Sequence, residues 1–119
     1  MFGVLVLDFF VQIASARFKF SVGCSWASLE EFEDNFFDFI YVDAGHCAGA
    51  VAKDCGVSLR KIKNGGILMF NDWTCYSPSE KREYGVLYSV NNSVLSCSSV
   101  VCLALDFNGH HDIAFRVHK

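Results

Sequence analysis

Two short apolar runs, each leading into acidic or amide side chains, stand out in the pattern of hydrophobic and polar positions. Residues 40–42 lead into Asp43, and residues 67–70 lead into Asn71 and Asp72. Continuous β-branched and aromatic runs of this length are typical of strands buried on both faces. The residues between the runs carry a helical period. The segment therefore predicts two parallel strands joined by a crossover helix, with both polar ends at one edge of the sheet.

Helices are predicted from end signals and from apolar periodicity. Ser28 and Glu31 form a capping box at the start of one helical pattern, and Asn64-Gly65 supplies a left-handed cap after another. We predict helices at residues 28–36, 47–63 and 85–92. In the second of these, the apolar face is expected to contain Val51, Cys55, Leu59 and Ile62, and the polar residues off that face are Lys53, Asp54, Arg60 and Lys61.

The last two apolar segments are predicted to form a hairpin, because the Asn-Gly pair at positions 108–109 favours a tight turn. Residues 74–84 are polar and are predicted to form a loop over the carboxyl edge of the sheet. The fold class is α/β, with a mostly parallel sheet and an antiparallel hairpin at its C-terminal end. The predicted strands are residues 18–22, 38–43, 66–71, 99–107 and 111–117.

Length and composition limit the classes of protein to which the chain can belong. At 119 residues the chain forms one domain at most, and a hydrophobic share of 52% with 15% aromatic residues excludes disorder. The net charge of −3 and the scattered basic residues give no electrostatic footprint for nucleic acid. We expect a small-molecule ligand and neither nucleic acid nor a membrane as partner.

The apolar first sixteen residues raise the question of a signal peptide. They lack a basic start and contain Asp8, and they are too short to span a bilayer, so we predict a buried strand or helix instead. The six cysteines show no paired metal-binding spacing. We predict free, buried thiols in a reducing compartment, which places the protein in the cytoplasm.

Several spaced motifs resemble one family. Residues 37–46 read FDFIYVDAGH, Asp54 follows His46 by eight positions, residues 59–72 read LRKIKNGGILMFND and residues 84–86 read YGV. Together they resemble the second half of a class I S-adenosylmethionine-dependent methyltransferase domain, over roughly residues 18–116. The resemblance implies a partial Rossmann-like sheet and S-adenosylmethionine as cofactor.

The resemblance also implies which residues contact that cofactor. Asp43 corresponds to an acid near the methionine end, and Ala44 follows it. Ser25 corresponds to a residue near the adenine. Asp8 is a candidate for the carboxylate that holds the ribose hydroxyls, although only nine residues separate it from position 18, which is short for a parallel crossover.

Catalysis and metal binding are assigned to the same edge of the sheet. Asp43, Asn71 and Asp72 make an oxygen-rich set suited to Mg²⁺, as the trio that holds the metal in related small-molecule O-methyltransferases implies. His46 is the candidate general base. Each of these residues also has a purely structural interpretation: a helix cap for Asp43, a loop hydrogen bond for His46, and a strand-end turn for Asn71 and Asp72. The implied reaction is O-methyl transfer to a small molecule or sugar.

A glycine-rich loop between a strand and a helix, which lets the backbone approach the cofactor, is not found in the sequence. We therefore expect an N-terminally truncated domain in which residues 2–8 fill the place of the first strand beside residues 38–43, or in which that edge stays open. Such a chain should bind S-adenosylmethionine weakly or not at all. Two functions stay open: a methyltransferase seen through its C-terminal half, and a non-catalytic α/β module that packs with a partner, including a second copy.

Overall fold

The computed structural model describes residues 3–7, 23–97, 99–106 and 111–119. It contains a five-stranded sheet, a small separate hairpin and three helices. The strands are Gly3–Leu7 (β1), Phe37–Asp43 (β2), Ile62–Phe70 (β3), Tyr76–Ser77 (β4), Arg82–Glu83 (β5), Val100–Leu105 (β6) and Ile113–Val117 (β7), and the helices are Ser25–Glu30 (α1), Ala48–Lys61 (α2) and Val86–Val90 (α3), the last continued by a π-helical turn, Asn91–Leu95.

The sheet has the order β1-β2-β3-β7-β6, with β1, β2 and β3 parallel and β7 antiparallel to both of its neighbours. The α/β class, the central parallel pair and the closing antiparallel pair are therefore confirmed. Helix α2 contacts α1, α3 and the central strands. The core lies between these helices and the sheet, and its fully buried members include Ile40, Leu68, Phe70 and Phe115.

Strand β1 lies directly beside β2. Its register runs from Gly3 opposite Phe39 to Leu7 opposite Asp43. The expectation that residues 2–8 fill this place is confirmed for the five residues of β1. Three other predictions, the strand at 18–22, the ribose role of Asp8 and the turn at 108–109, lie outside the described residues.

Helix α1 begins and ends earlier than the predicted helix at 28–36. Ser28 is inside the helix, where its N–H donates to the carbonyl of Cys24, so the predicted capping box is wrong. After Glu30 the chain turns through Asn35, which has a φ of 57°. The backbone N–H of Asn35 donates to the carbonyl of Arg60, and this turn delivers the chain to β2.

The end of α2 also differs from the prediction. The helix ends at Lys61 because Ile62 is already extended, with φ −72° and ψ 142°. Gly65 has the expected positive φ of 78°, but it lies within β3 and caps no helix. The pairing of Phe37 with Ile62 and of Phe39 with Ile67 shows a bulge at this point, which explains the left-handed conformation.

Two polar residues of α2 that were expected off its apolar face are buried. Asp54 is 1% exposed and Lys61 is 5% exposed. The helix has neighbours on two sides, so its buried surface is wider than one apolar stripe. Asp54 accepts a hydrogen bond of 2.6 Å from the Ser25 hydroxyl, and the Lys61 ammonium lies 2.8 Å from a carboxylate oxygen of Asp34. These partners offset the cost of burial.

The remaining differences are smaller. Helix 85–92 is confirmed in outline, although the α-helix ends at Val90 and the chain continues as the π-helical turn Asn91–Leu95. The predicted loop at 74–84 contains the short antiparallel pair β4 and β5. None of the helices in the described part of the chain has the length and apolar character needed to cross a bilayer.

The six cysteines are free, as predicted, but most of them are not buried. Cys55 is buried and Cys97 is half-buried, whereas the other four, Cys24, Cys47, Cys75 and Cys102, are exposed. Burial, with a further contribution from the neighbouring Asp54 charge, raises the pKa of the Cys55 thiol to about 12.

We predict that a chromogenic aromatic disulfide reagent at mildly alkaline pH labels the four exposed cysteines rapidly and leaves Cys55 unlabelled until the chain unfolds. The reactive species is the thiolate, and a raised pKa keeps Cys55 in its thiol form. Peptide mass mapping after a short exposure identifies the labelled positions. Early labelling of Cys55 in folded protein would show that its environment is more open than described.

Two glycines provide a matched test of the packing. A Cβ at Gly56, in the middle of α2, meets nothing within 4 Å, so Gly56→Ala should stabilise the fold by about 0.5–1 kcal/mol. A Cβ at Gly66 would lie 2.7 Å from the buried Ile62 side chain, so Gly66→Ala should destabilise the fold by about 1–3 kcal/mol. Urea unfolding of both variants measures the difference. Equal effects would contradict the packing at the start of β3.

Candidate active site at the carboxyl edge of the sheet

The parallel pairing of β2 and β3 brings their polar ends together. The backbone N–H of Asn71 donates to the carbonyl of Val42 at 2.9 Å, which continues the pairing past the end of β3. Asp43, His46 and Asp72 each offer one ligand atom, and these three atoms lie within 4.8 Å of one another. Three of the predicted site residues therefore converge at one edge.

Asp72 occupies a special backbone position. Its φ of 56° is left-handed, a conformation that aspartate adopts more readily than most residues. The residue is 7% exposed, so its carboxylate is held inside the edge of the sheet. The Nε2 atom of His46 lies 2.9 Å from Oδ2 of Asp72. A buried carboxylate and a half-buried imidazole thus form a close pair.

The imidazole of His46 has a second neighbour. The ring of Tyr84 stacks on it with a centroid distance of 4.1 Å and an interplanar angle of 4°. Tyr84 is the first residue of the YGV motif, for which no role in the site was predicted.

The surroundings of Gly85 explain why the middle position of that motif is glycine. Its N–H donates to the carbonyl of His46 at 2.7 Å, and a Cβ at this position would lie only 2.4 Å from the Cα of Ala48. The Ser89 hydroxyl also donates to the carbonyl of Ala48. The start of α3 therefore lies against the start of α2, at a distance that only glycine permits.

Asn71 belongs to a second polar group, which the sequence analysis missed. Its side-chain amide donates to Oδ1 of Asp112 at 2.7 Å, and the Tyr41 hydroxyl donates to Oδ2 of the same carboxylate at 3.1 Å. Burial, together with the Asp112 charge, raises the pKa of Tyr41 to about 12. Asp112 precedes β7 and lies in no motif, so no local signal pointed to it.

The two remaining cofactor candidates lie in different surroundings. Ala44 is nearly buried and lines a small cleft between the edge of the sheet and the first turns of α2 and α3. Ser25, at the start of α1, is buried against Asp54. The cleft has a volume of about 10 Å³, enough for one water molecule, and His46, Asn71 and Val86 are also in its wall.

Comparison with known families shows the family to which the chain belongs. Residues 8–73, more than half of the sequence, match the family described as a methyltransferase domain. The chain belongs to this methyltransferase family. The resemblance to S-adenosylmethionine-dependent methyltransferases is thereby confirmed. No curated protein matches the sequence.

Solved structures show the same fold at low sequence identity. A protein from Corynebacterium glutamicum has a TM-score of 0.67 at 8% identity over 90% of this chain and 50% of its own. An O-methyltransferase from Bacillus cereus, in complex with S-adenosylhomocysteine (SAH), has a TM-score of 0.53 at 14% identity over 80% of this chain and 46% of its own.

A third similar structure is the MycE methyltransferase of mycinamycin biosynthesis, in complex with Mg and SAH. It has a TM-score of 0.59 at 16% identity and covers 97% of this chain and 36% of its own. The chain thus spans half or less of the length of these three structures. They establish the Rossmann-like methyltransferase fold of this domain.

We predict that Gly85→Ala destabilises the methyltransferase domain by about 1–3 kcal/mol or more, because the added methyl group overlaps the backbone of Ala48 and the two helices must separate. The matched control is Gly49→Ala, one residue beyond Ala48, where an added Cβ meets nothing within 4 Å. Urea unfolding and the amide spectrum of residues 46–49 check both variants. A neutral effect of Gly85→Ala would refute the close approach of α2 and α3.

Proposed function

We propose that this chain carries the carboxyl-edge part of an S-adenosylmethionine-dependent O-methyltransferase site whose acceptor is a hydroxyl of a small molecule or sugar. The convergence of Asp43, His46 and Asp72 at this edge, in a chain of the methyltransferase family, is the observation that supports the proposal most directly. Ligands of open α/β sheets bind at the carboxyl ends of the strands, where these residues lie.

The residues at the edge fit a divalent cation. Asp43 and Asp72 supply two carboxylates, and hard cations such as Mg²⁺ prefer oxygen ligands. Asn71 is proposed as the third oxygen ligand. Its amide nitrogen donates to Asp112, because a carboxylate only accepts, and this leaves the amide oxygen for the cation. The cation would polarise the acceptor hydroxyl and lower its pKa.

His46 is proposed as the residue that removes the proton of that hydroxyl. In the neutral imidazole one nitrogen carries a proton and the other accepts one. Nε2 is buried and lies 2.9 Å from Oδ2 of Asp72, although not in hydrogen-bond geometry. The charge of this carboxylate favours a proton on Nε2, which leaves Nδ1 to accept the proton of the acceptor. Asp72 would thus orient His46 in addition to binding the cation.

The cofactor fits only in part. The cleft beside Ala44 is much smaller than the roughly 300–1,000 Å³ of typical ligand pockets, so the described residues contribute one wall and enclose no whole nucleoside. When bound, S-adenosylmethionine would supply the methyl group. Asp43 and Ala44 would contact its methionine end, and Ser25, tied to Asp54, would hold the loop near its adenine.

The partners and the location belong to the same proposal. The net charge of −3 is consistent with a small-molecule acceptor and offers no attraction for nucleic acid. Six free thiols are consistent with a reducing, cytoplasmic environment.

The test uses the whole chain labelled with nitrogen-15. Mn²⁺ stands in for Mg²⁺, and its unpaired electrons broaden nearby amide signals even when binding is weak. We expect broadening at residues 43–46 and 71–73, and we expect excess Mg²⁺ to reverse it. Added SAH should shift the signals of residues 42–46. These outcomes follow if the cation and the methionine end of the cofactor share the edge of the sheet.

Asp43→Asn should abolish the broadening, and Glu33→Gln is the matched control because it removes the same charge from an exposed position away from the cluster. Absence of any response to Mn²⁺ and SAH at this edge would contradict the proposal. It would favour the alternative, a non-catalytic α/β module.

A further inference from the structure

The YGV motif at residues 84–86 has no role in the function proposed above, yet its first two residues touch His46 at two points. The ring of Tyr84 lies parallel to the imidazole at a centroid distance of 4.1 Å, and the N–H of Gly85 donates to the carbonyl of His46 at 2.7 Å. Side chain and backbone of His46 are therefore both held by neighbouring residues of one short segment.

Tyr84 is itself held in place. It is 4% exposed, and its N–H donates to the carbonyl of Cys75 at 2.9 Å. The guanidinium carbon of Arg82 lies 5.3 Å from the centre of the Tyr84 ring. Glu80 hydrogen-bonds to Tyr84 and to Arg82, and these contacts lower the pKa of the Glu80 carboxyl. The segment from β4 to α3 thus fixes the position of the Tyr84 ring from several directions.

The third neighbour of the imidazole is Asp72, whose Oδ2 lies 2.9 Å from Nε2. A histidine ring can rotate about its χ2 angle, and a half-turn exchanges Nδ1 with Cδ2 and Nε2 with Cε1, which would leave a carbon in place of Nε2 beside Asp72. A flat ring stacked on one face restricts that rotation, because any tilted intermediate would collide with it.

We propose that Tyr84 is a positioning residue for His46: its stacked ring keeps Nε2 beside Asp72 and thereby presents Nδ1 to the acceptor hydroxyl. This inference rests on the proposed function, in which His46 is the base. In this role Tyr84 acts on the reaction through His46.

The test measures which nitrogen of His46 carries the proton. If Tyr84 only stabilised the fold, replacing it would leave that nitrogen unchanged. The whole chain is labelled with nitrogen-15 and carbon-13 in histidine, and the spectra are recorded at an alkaline pH at which the ring signals no longer change with pH. The ring signals that disappear in the His46→Asn variant are assigned to His46. In the unaltered protein we expect the proton on Nε2 and an upfield shift of the ring protons caused by Tyr84.

Three variants separate the contributions. Tyr84→Phe keeps the ring and should retain both signatures. Tyr84→Leu removes the ring, so the upfield shift should be lost and the two nitrogen shifts should move toward each other as the tautomers mix. Asp72→Asn should keep the upfield shift and lose the tautomer preference. Tyr88→Leu, at a position that is 67% exposed, is the control and should change neither.

A His46 ring that is mixed or protonated at Nδ1 in the unaltered protein would overturn the inference, and this measurement needs no variant to fold. Tyr84→Leu with an unchanged tautomer would also overturn it. A positioned His46 in a chain whose edge does not respond to Mn²⁺ or SAH would refute the proposed function, and with it the catalytic purpose of the Tyr84 stack.

Discussion

The parallel pairing of β2 with β3 is the constraint on which the site depends. Ile40 opposite Leu68 and Val42 opposite Phe70 are buried on the helix side, so the register cannot slip without exposing the core. That register places the ends of both strands at the same level. Asp43 and Asp72, far apart in the sequence, become neighbours as a direct result.

Two carboxylates so close together repel each other, and this repulsion gives the edge of the sheet its chemical character. A divalent cation bound between them would relieve it, whereas a neutral ligand would not. The surrounding contacts keep the carboxylates from moving apart: Asp72 is buried at a left-handed turn, and the Tyr84-Gly85 segment closes over His46. This arrangement of the two carboxylates is the reason for proposing a cation site at this edge.

Sequence reasoning worked where the signal was local and failed where the partner was distant. The strands ending at Asp43 and before Asn71 were predictable because apolar runs of that length have few alternatives. The burial of Asp54 was not, since a helical period describes one packed face and α2 packs on two sides. Asp112 was missed because its partners, Tyr41 and Asn71, lie 71 and 41 residues away in the sequence.

The position of β7 has a consequence for biosynthesis. This strand lies between β3 and β6, and Ile113, Phe115 and Val117 are buried there. It is also translated after every other strand of the sheet. Until β7 leaves the ribosome, β3 has an open side and β6 has no partner in the sheet, so the nascent chain exposes unpaired edges and apolar surface. The sheet of the described strands can be completed only once β7 has emerged from the ribosome, and the preceding interval is when a chaperone would have most to protect.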